Sequence, residues 1–291
     1  MPIYLLPVII VAFVLQSSFC KSFSDSCPGK EAQSTPVFAA AFGLSIGLAS
    51  WAIGGFPLTF SLPTVFCGVA NGVALFLYNL SMIRAGQRGS YSFMMICMLF
   101  GGTISPLLHS VFFLNGSLKS AQWVGIALMC VAFVVMNLKG LNLKGSSRSY
   151  LLWCALLFVS NGAYTILNNQ QQTMMQHTER SQMLLLAYGI SGLIAVVYHL
   201  ITRKGKMLSD YILPGRSILY LVISCATAIL AANLLFYLFR FMDAPILYTI
   251  VNGGIIAGSA LYAFLFFKER PSKSQLVGIL LALVSIVLLS I

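Results

Sequence analysis

The chain has 291 residues, 59% of them hydrophobic and only 8% charged, with a formal net charge of +11. A soluble domain carries about 25% charged residues, so a surface that faces water throughout is excluded. The basic residues are spread over short polar segments rather than gathered on one face. That argues against nucleic acid and for a polytopic membrane protein whose loops carry the charge.

Ten apolar runs follow one another, each near the roughly 20 residues needed to cross about 30 Å of hydrocarbon. The first covers Ile3 to about Cys20 and lacks the positive start of a secretory signal, so it reads as a true first helix. A polar linker, Lys21 to Ser34, leads to helix two, from Pro36 to about Gly55, with Pro36 expected in its first turn. The uncharged link Gly55 to Phe60 precedes helix three, Ser61 to Ile83. Helix four runs from Ser90 to Leu114 and holds Gly101, Gly102 and Pro106. Helix five covers Ala121 to Leu138. A basic segment, Lys139 to Tyr150, joins the two halves. Helices six to ten are expected at Leu151 to Gln170, Ser181 to Thr202, Ser217 to Phe239, Pro245 to Phe267 and Gln275 to Ile291. None of the seven cysteines forms a CxxC pair, and most sit in apolar runs as small hydrophobes.

The last stretch, Leu265 to Ile291, repeats a pattern found 153 residues earlier, from Phe112 to Asn137. Gln122 falls on Gln275, Val124 on Val277, Gly125 on Gly278 and Ile126 on Ile279, after a short polar turn in each case. A second echo sets Phe13-Val14-Leu15-Gln16 beside Phe158-Val159-Ser160-Asn161. The chain therefore divides into a first five-helix repeat, 1–140, and a second, 150–291. Five is odd, so the second repeat enters the membrane upside down relative to the first. Inverted repeats are a common plan for secondary transporters. The expected fold is an all-α membrane protein of ten transmembrane helices in two inverted five-helix repeats.

All but three of the 17 lysines and arginines fall after helices one, three, five, seven and nine; the exceptions are Lys119, Arg180 and Arg240. Positive residues favour the cytoplasmic side, so both termini are expected outside.

These features resemble the drug/metabolite transporter superfamily, in particular its ten-helix EamA-like members, over the whole chain. The most specific element is Phe267-Lys268-Glu269 followed by Gln275 and Gly278. It is similar to the family's Gly-Glu turn and Gln-x-x-Gly helix start. The first half keeps Pro106, Gln122 and Gly125 but has Asn115-Gly116 where the acid would stand. The resemblance implies transport of small polar metabolites, no cofactor, and an integral location in a bacterial inner or cell membrane. Family members are commonly drawn with both termini in the cytoplasm, and the charge pattern here departs from that.

All six acids fall in loops or at helix ends. A proton-driven exporter of cations commonly uses a buried carboxylate, so neutral or anionic solutes are favoured. Export of cationic drugs by the same fold is the alternative. Neutral polar residues do lie at depth. Asn161, Tyr164 and Asn168 share a face of helix six, as do Asn233, Tyr237 and Arg240 on helix eight. Asn71 and Tyr78 lie on helix three, Tyr248 and Asn252 on helix nine, and His109 on helix four. Gln16 matches Asn161 by the repeat. The expected substrate-binding set is Gln16, Asn71, Tyr78, His109, Asn161, Tyr164, Asn233, Tyr237, Tyr248 and Asn252. For each of these residues, holding helices together competes with touching substrate. Three small-xxx-small pairs, Gly43 with Gly47, Gly68 with Gly72 and Gly254 with Gly258, point to close helix packing. Gly101, Gly102 and Pro106, and Gly253-Gly254, are candidate helix breaks of the kind that mark transporter sites. No HExxH, no GxSxG and no paired membrane aspartates occur, so an enzyme is not expected. The expected partners are a small-molecule substrate and the lipid bilayer, without nucleic acid and with homodimerisation left open.

Overall fold

The computed structural model describes residues 4–26, 31–86, 88, 91–113, 119–136, 148–202, 213–266 and 273–290. Among them are ten α-helices: α1 (Leu5–Asp25), α2 (Glu31–Ile53), α3 (Leu62–Gly86), α4 (Tyr91–Phe113), α5 (Ser120–Met136), α6 (Arg148–Met174), α7 (Arg180–Thr202), α8 (Gly215–Leu238), α9 (Ala244–Phe266) and α10 (Lys273–Ser290). No strand occurs among the described residues. Described parts of α2, α3, α6, α7 and α8 are long and apolar enough to cross a membrane. The described apolar stretches of the other five are shorter, Cys97–Phe113 in α4 for example. Large apolar side chains stand outward along these helices, among them Leu62 at 82% exposed, Ile53 at 65% and Val222 at 57%. Such positions suit lipid, which solvates them as a core would.

Most helix ends fall within a few residues of the sequence expectation, because the length of an apolar run is the signal a bilayer imposes. Three expectations are corrected. The linker after helix one is shorter, since α1 continues to Asp25 and α2 already starts at Glu31. Pro36 therefore lies inside α2 rather than in its first turn. The candidate breaks in helices four and nine are absent: α4 runs through Gly101, Gly102 and the buried Pro106, and α9 through Gly253-Gly254. Helices in membranes tolerate such residues where neighbours re-satisfy the backbone. The two basic segments at 139–147 and 203–212, and the turns at 114–118 and 267–272, lie outside the described residues. The orientation expectation and the Lys268-Glu269 motif fall there.

The chain forms two compact units, and their boundaries fall inside α1, α3 and α6. Unit 1 comprises Met1–Val11, Leu80–Ile166 and Phe241–Ile291; unit 2 comprises Ala12–Asn79 and Leu167–Arg240. In unit 1, α5 packs along α10 and α4 along α9. Ser285 Oγ donates to the Gly125 carbonyl at 2.6 Å, and Leu99, Met129, Ala132 and Ala282 form a buried cluster. In unit 2, α2 packs along α7, with α8 beside both. Each unit thus joins helices to those five places later in the chain.

Small residues make these seams possible. A Cβ on Gly43 of α2 would sit 2.7 Å from the Tyr188 carbonyl oxygen and 2.9 Å from the Gly192 Cα of α7. The two backbones touch directly, so dispersion contacts act over the whole seam. In unit 1 a Cβ on Gly101 of α4 would run into the Phe158 carbonyl oxygen of α6. The six described cysteines are all free thiols, and Cys67, Cys154 and Cys225 are buried.

Candidate functional site

The ten expected site residues divide evenly. Gln16, Asn71, Tyr78, Asn233 and Tyr237 belong to unit 2, and His109, Asn161, Tyr164, Tyr248 and Asn252 to unit 1.

In unit 1, two of them meet at one point of α4. Asn161 of α6 donates from Nδ2 to the Met98 carbonyl at 2.7 Å, and Asn252 of α9 donates from Nδ2 to Thr103 Oγ1 at 3.1 Å. Gly102 lies between these attachments, and a Cβ there would come within 2.8 Å of Asn161 Nδ2 and 3.4 Å of Asn252 Nδ2. Glycine here lets two amides from different helices approach α4 together. His109 stacks on Phe113 at 5.4 Å between ring centroids, one turn away on the same helix, and its Nδ1 is buried without a hydrogen-bond partner. Tyr248 is buried and Tyr164 half-buried, each with polar or ring contacts of its own.

In unit 2, a buried polar ladder joins α3 to α6. Asn71, fully buried, donates from Nδ2 to Asn168 Oδ1. One turn on, Gln171 donates from Nε2 to Thr64 Oγ1 at 2.8 Å, and Gln172 donates to Gln171 Oε1. Ser61 closes the ladder: its backbone N–H and hydroxyl both donate to Glu179 Oε2, at 3.1 and 2.8 Å. The ladder helps explain why α6 outruns its apolar sequence, since Asn168 and Gln171 meet partners on α3. Burial would raise the Glu179 carboxyl, but the hydrogen bonds from Thr64 and Ser61 outweigh it and hold the group below its ordinary value. Gln16 accepts a hydrogen bond at its backbone carbonyl from Ser224 Oγ, 3.2 Å away, and Tyr78 is half-buried with contacts of its own.

Beside Glu179 the chain turns from α6 into α7 with three residues in the left-handed region, Gln176 at φ 48°, His177 at 61° and Glu179 at 50°. None is glycine, so each carries backbone strain of the kind that gathers at functional sites. The turn is held by the His177 N–H on the Gln172 carbonyl at 2.7 Å and by Arg240, whose guanidinium donates to the His177 carbonyl at 3.2 Å.

This turn, the end of α2 and the end of α8 line an open cavity of about 510 Å³. Its lining includes Ser50, His177, Glu179, Arg180, Gln182, Asn233, Tyr237 and Arg240. Asn233 is fixed by donating to Ser50 Oγ at 2.9 Å and to the Ile229 carbonyl at 2.8 Å. Gln182 donates to the Thr59 carbonyl at 3.1 Å and accepts from Ser181 Oγ at 3.0 Å. The Arg180 guanidinium lies over the Tyr237 ring, 5.6 Å from its centroid. Burial first, then the charges of Arg240 and Arg180, push the His177 imidazole below its ordinary value and keep it neutral. Two of the expected residues, Asn233 and Tyr237, line this cavity. Glu179, Arg180 and His177 were not expected there, and Arg240, on the Asn233 face, reads from sequence first as a helix-end residue snorkelling to water and only second as a partner for an anionic substrate. The available signal was that Arg180 and Arg240 are two of the three basic residues set against the charge pattern.

Described residues that are all-helical where regular, with apolar side chains on outward faces, fit an integral membrane protein. Residues 148–291 match the model of the EamA-like transporter family. A solved structure titled "Crystal structure of protein" shares the fold at a TM-score of 0.72 and 14% sequence identity, covering 98% of both chains. No curated protein matches the sequence. Residues 148–291 belong to the EamA-like transporter family of the drug/metabolite transporter superfamily.

Proposed function

We propose that the protein is a secondary transporter of small polar organic metabolites, working by alternating access between two inverted repeats, 1–140 and 150–291. The observation that carries the reading is the unit 2 cavity, a space of about 510 Å³ whose wall brings Ser50, Arg180, Asn233, Tyr237 and Arg240 together in a chain that is 59% hydrophobic. Small-molecule sites fall in the range of about 300 to 1,000 Å³. A polar solute leaving water needs replacement hydrogen bonds, and this lining has them. The packing of α2 on α7, α4 on α9 and α5 on α10 supports the repeat reading, since each helix meets its counterpart in the other repeat.

Asn233 and Tyr237 are assigned as substrate contacts. Gln16, Asn71, Tyr78, His109, Asn161, Tyr164, Tyr248 and Asn252 are assigned as further polar groups along the path, with Asn161 and Asn252 also fixing α4. The cytoplasmic face is assigned to the basic segments at 139–150 and 203–216, in the cell membrane. Export of cationic drugs fits less well, because the cavity carries two arginines and its carboxylate, Glu179, is already engaged by Ser61.

The test is flux into liposomes reconstituted with the purified protein. Saturable uptake of a labelled metabolite, accelerated by unlabelled solute preloaded inside, supports the reading. Binding without flux for every solute in a broad metabolite panel would overturn it.

A further inference from the structure

We infer that the unit 2 cavity is an oxyanion site, which takes the carboxylate or phosphate end of a small organic anion between Arg180 and Arg240. The inference deepens the transport reading by naming its substrate class and rests on it only for the claim that the anion is the cargo.

Four observations converge. Arg180 and Arg240 line one cavity, and both lie near enough to His177 for their charges to weigh on it. Two like charges drawn together in a partly dry space are stabilised by an anion placed between them. Second, the carboxylate in the lining does not serve that purpose. Glu179 Oε2 receives both the N–H and the hydroxyl of Ser61, and the causes acting on Glu179 are Thr64 and Ser61, not an arginine. Third, His177 Nδ1 is buried in the same lining without a hydrogen-bond partner. A buried polar atom left unpaired is costly, and a ligand that engages it removes that cost. Fourth, of 17 basic residues only Lys119, Arg180 and Arg240 lie off the positive-rich loops, and two of these three meet here. Arginines placed against the topological charge bias need a reason other than orientation.

The geometry suits an oxyanion. Arg180 lies over the Tyr237 ring, 5.6 Å from its centroid, which holds the guanidinium at the cavity wall. Arg240 gives one N–H to the His177 carbonyl and keeps further donors on the same guanidinium. The amide nitrogens of Asn233 and Gln182 are fixed on protein acceptors, so these side chains shape the wall while the arginines meet the charge.

The test is ligand-induced stabilisation of the full-length protein in detergent, with succinate, inorganic phosphate and the uncharged succinamide as probes. Binding to the folded state raises the unfolding midpoint. The expected result is stabilisation by succinate or phosphate, none by succinamide, and weakening by added salt. Succinate acting more strongly assigns a carboxylate substrate; phosphate acting more strongly assigns a phosphorylated one. Arg240→Gln should weaken the anion about 10- to 100-fold, with Arg240→Lys in between. Arg240 is exposed, so both variants should fold even if Arg180→Gln does not. Equal stabilisation by succinamide, or an unchanged anion response in Arg240→Gln, overturns the site. Flux with an unchanged anion response would sink the site and spare the transporter. An anion response lost in Arg240→Gln, with no flux of any solute, would do the reverse.

Discussion

Unit 1 and unit 2 use the same side chain for different ends. In unit 1, Asn161 and Asn252 donate to α4 on either side of Gly102, and the amides bind helix to helix. In unit 2, Asn233 is also held by hydrogen bonds, yet it faces a cavity that holds two arginines, a histidine and Tyr237. An asparagine in an apolar helix therefore says little by its identity. What separates the roles is whether charged groups gather beside it, and those charges come from the turns that follow α6 and α8.

The sharpest way to break this comparison is to break the units' seams. Gly43→Leu should drive a side chain into the α7 backbone, 2.7 Å from the Tyr188 oxygen, where nothing flexible can yield. The expected loss is about 3 kcal/mol or more, seen as failure to purify as a single monodisperse species. Gly101→Leu should do the same in unit 1, against the Phe158 carbonyl. If either protein remains folded with an unchanged unfolding midpoint, the direct backbone contact is wrong.

Next in size is the asparagine pair. Asn161→Leu should lower stability by about 1–2 kcal/mol, because a helix-to-helix hydrogen bond is lost. Asn233→Leu should cut uptake about tenfold or more at a similar or smaller stability cost. Matched midpoints and uptake rates, the two variants giving equal losses of both, would erase the distinction between the units.

A smaller effect is expected at Glu179. Glu179→Gln keeps the shape but weakens two charge-assisted bonds from Ser61, for about 1 kcal/mol, read as a lower midpoint in denaturant or heat. The pH response follows from the same turn. Glu179 and His177 both have folded-state values below their ordinary 4.5 and 6.5, so the folded protein binds fewer protons than the unfolded chain in those windows. Their contribution is present above about pH 6.5, begins to fall as His177 enters its window, and falls again below 4.5 as Glu179 does. His177→Asn should flatten the first decline and Glu179→Gln the second. A midpoint that rises on acidification in wild type, or slopes that both variants leave untouched, would contradict the assignment.

The fold was legible because a bilayer demands apolar runs of fixed length, and ten such runs stand in the sequence. The last turn of α6, past Gln170, was not, since Gln171 and Gln172 look like loop until Thr64 of α3 is seen to accept from Gln171 and Gln171 from Gln172. Hydropathy reads a side chain's polarity and not its partner. The cavity was hidden for a similar reason. It is built from a turn in which Gln176, His177 and Glu179 adopt left-handed backbone without the glycine that would announce it. Asn233 and Tyr237 were visible as a polar helix face, whereas Arg180 and Arg240 were visible only as exceptions in the charge count.

The most direct test is the initial rate of labelled anion uptake into liposomes, wild type against Arg240→Gln, with a neutral labelled solute measured alongside. Selective loss of anion uptake, by about tenfold or more, is the predicted result. Equal anion uptake by the two proteins would contradict the assignment of the unit 2 cavity as the place where substrate charge is met.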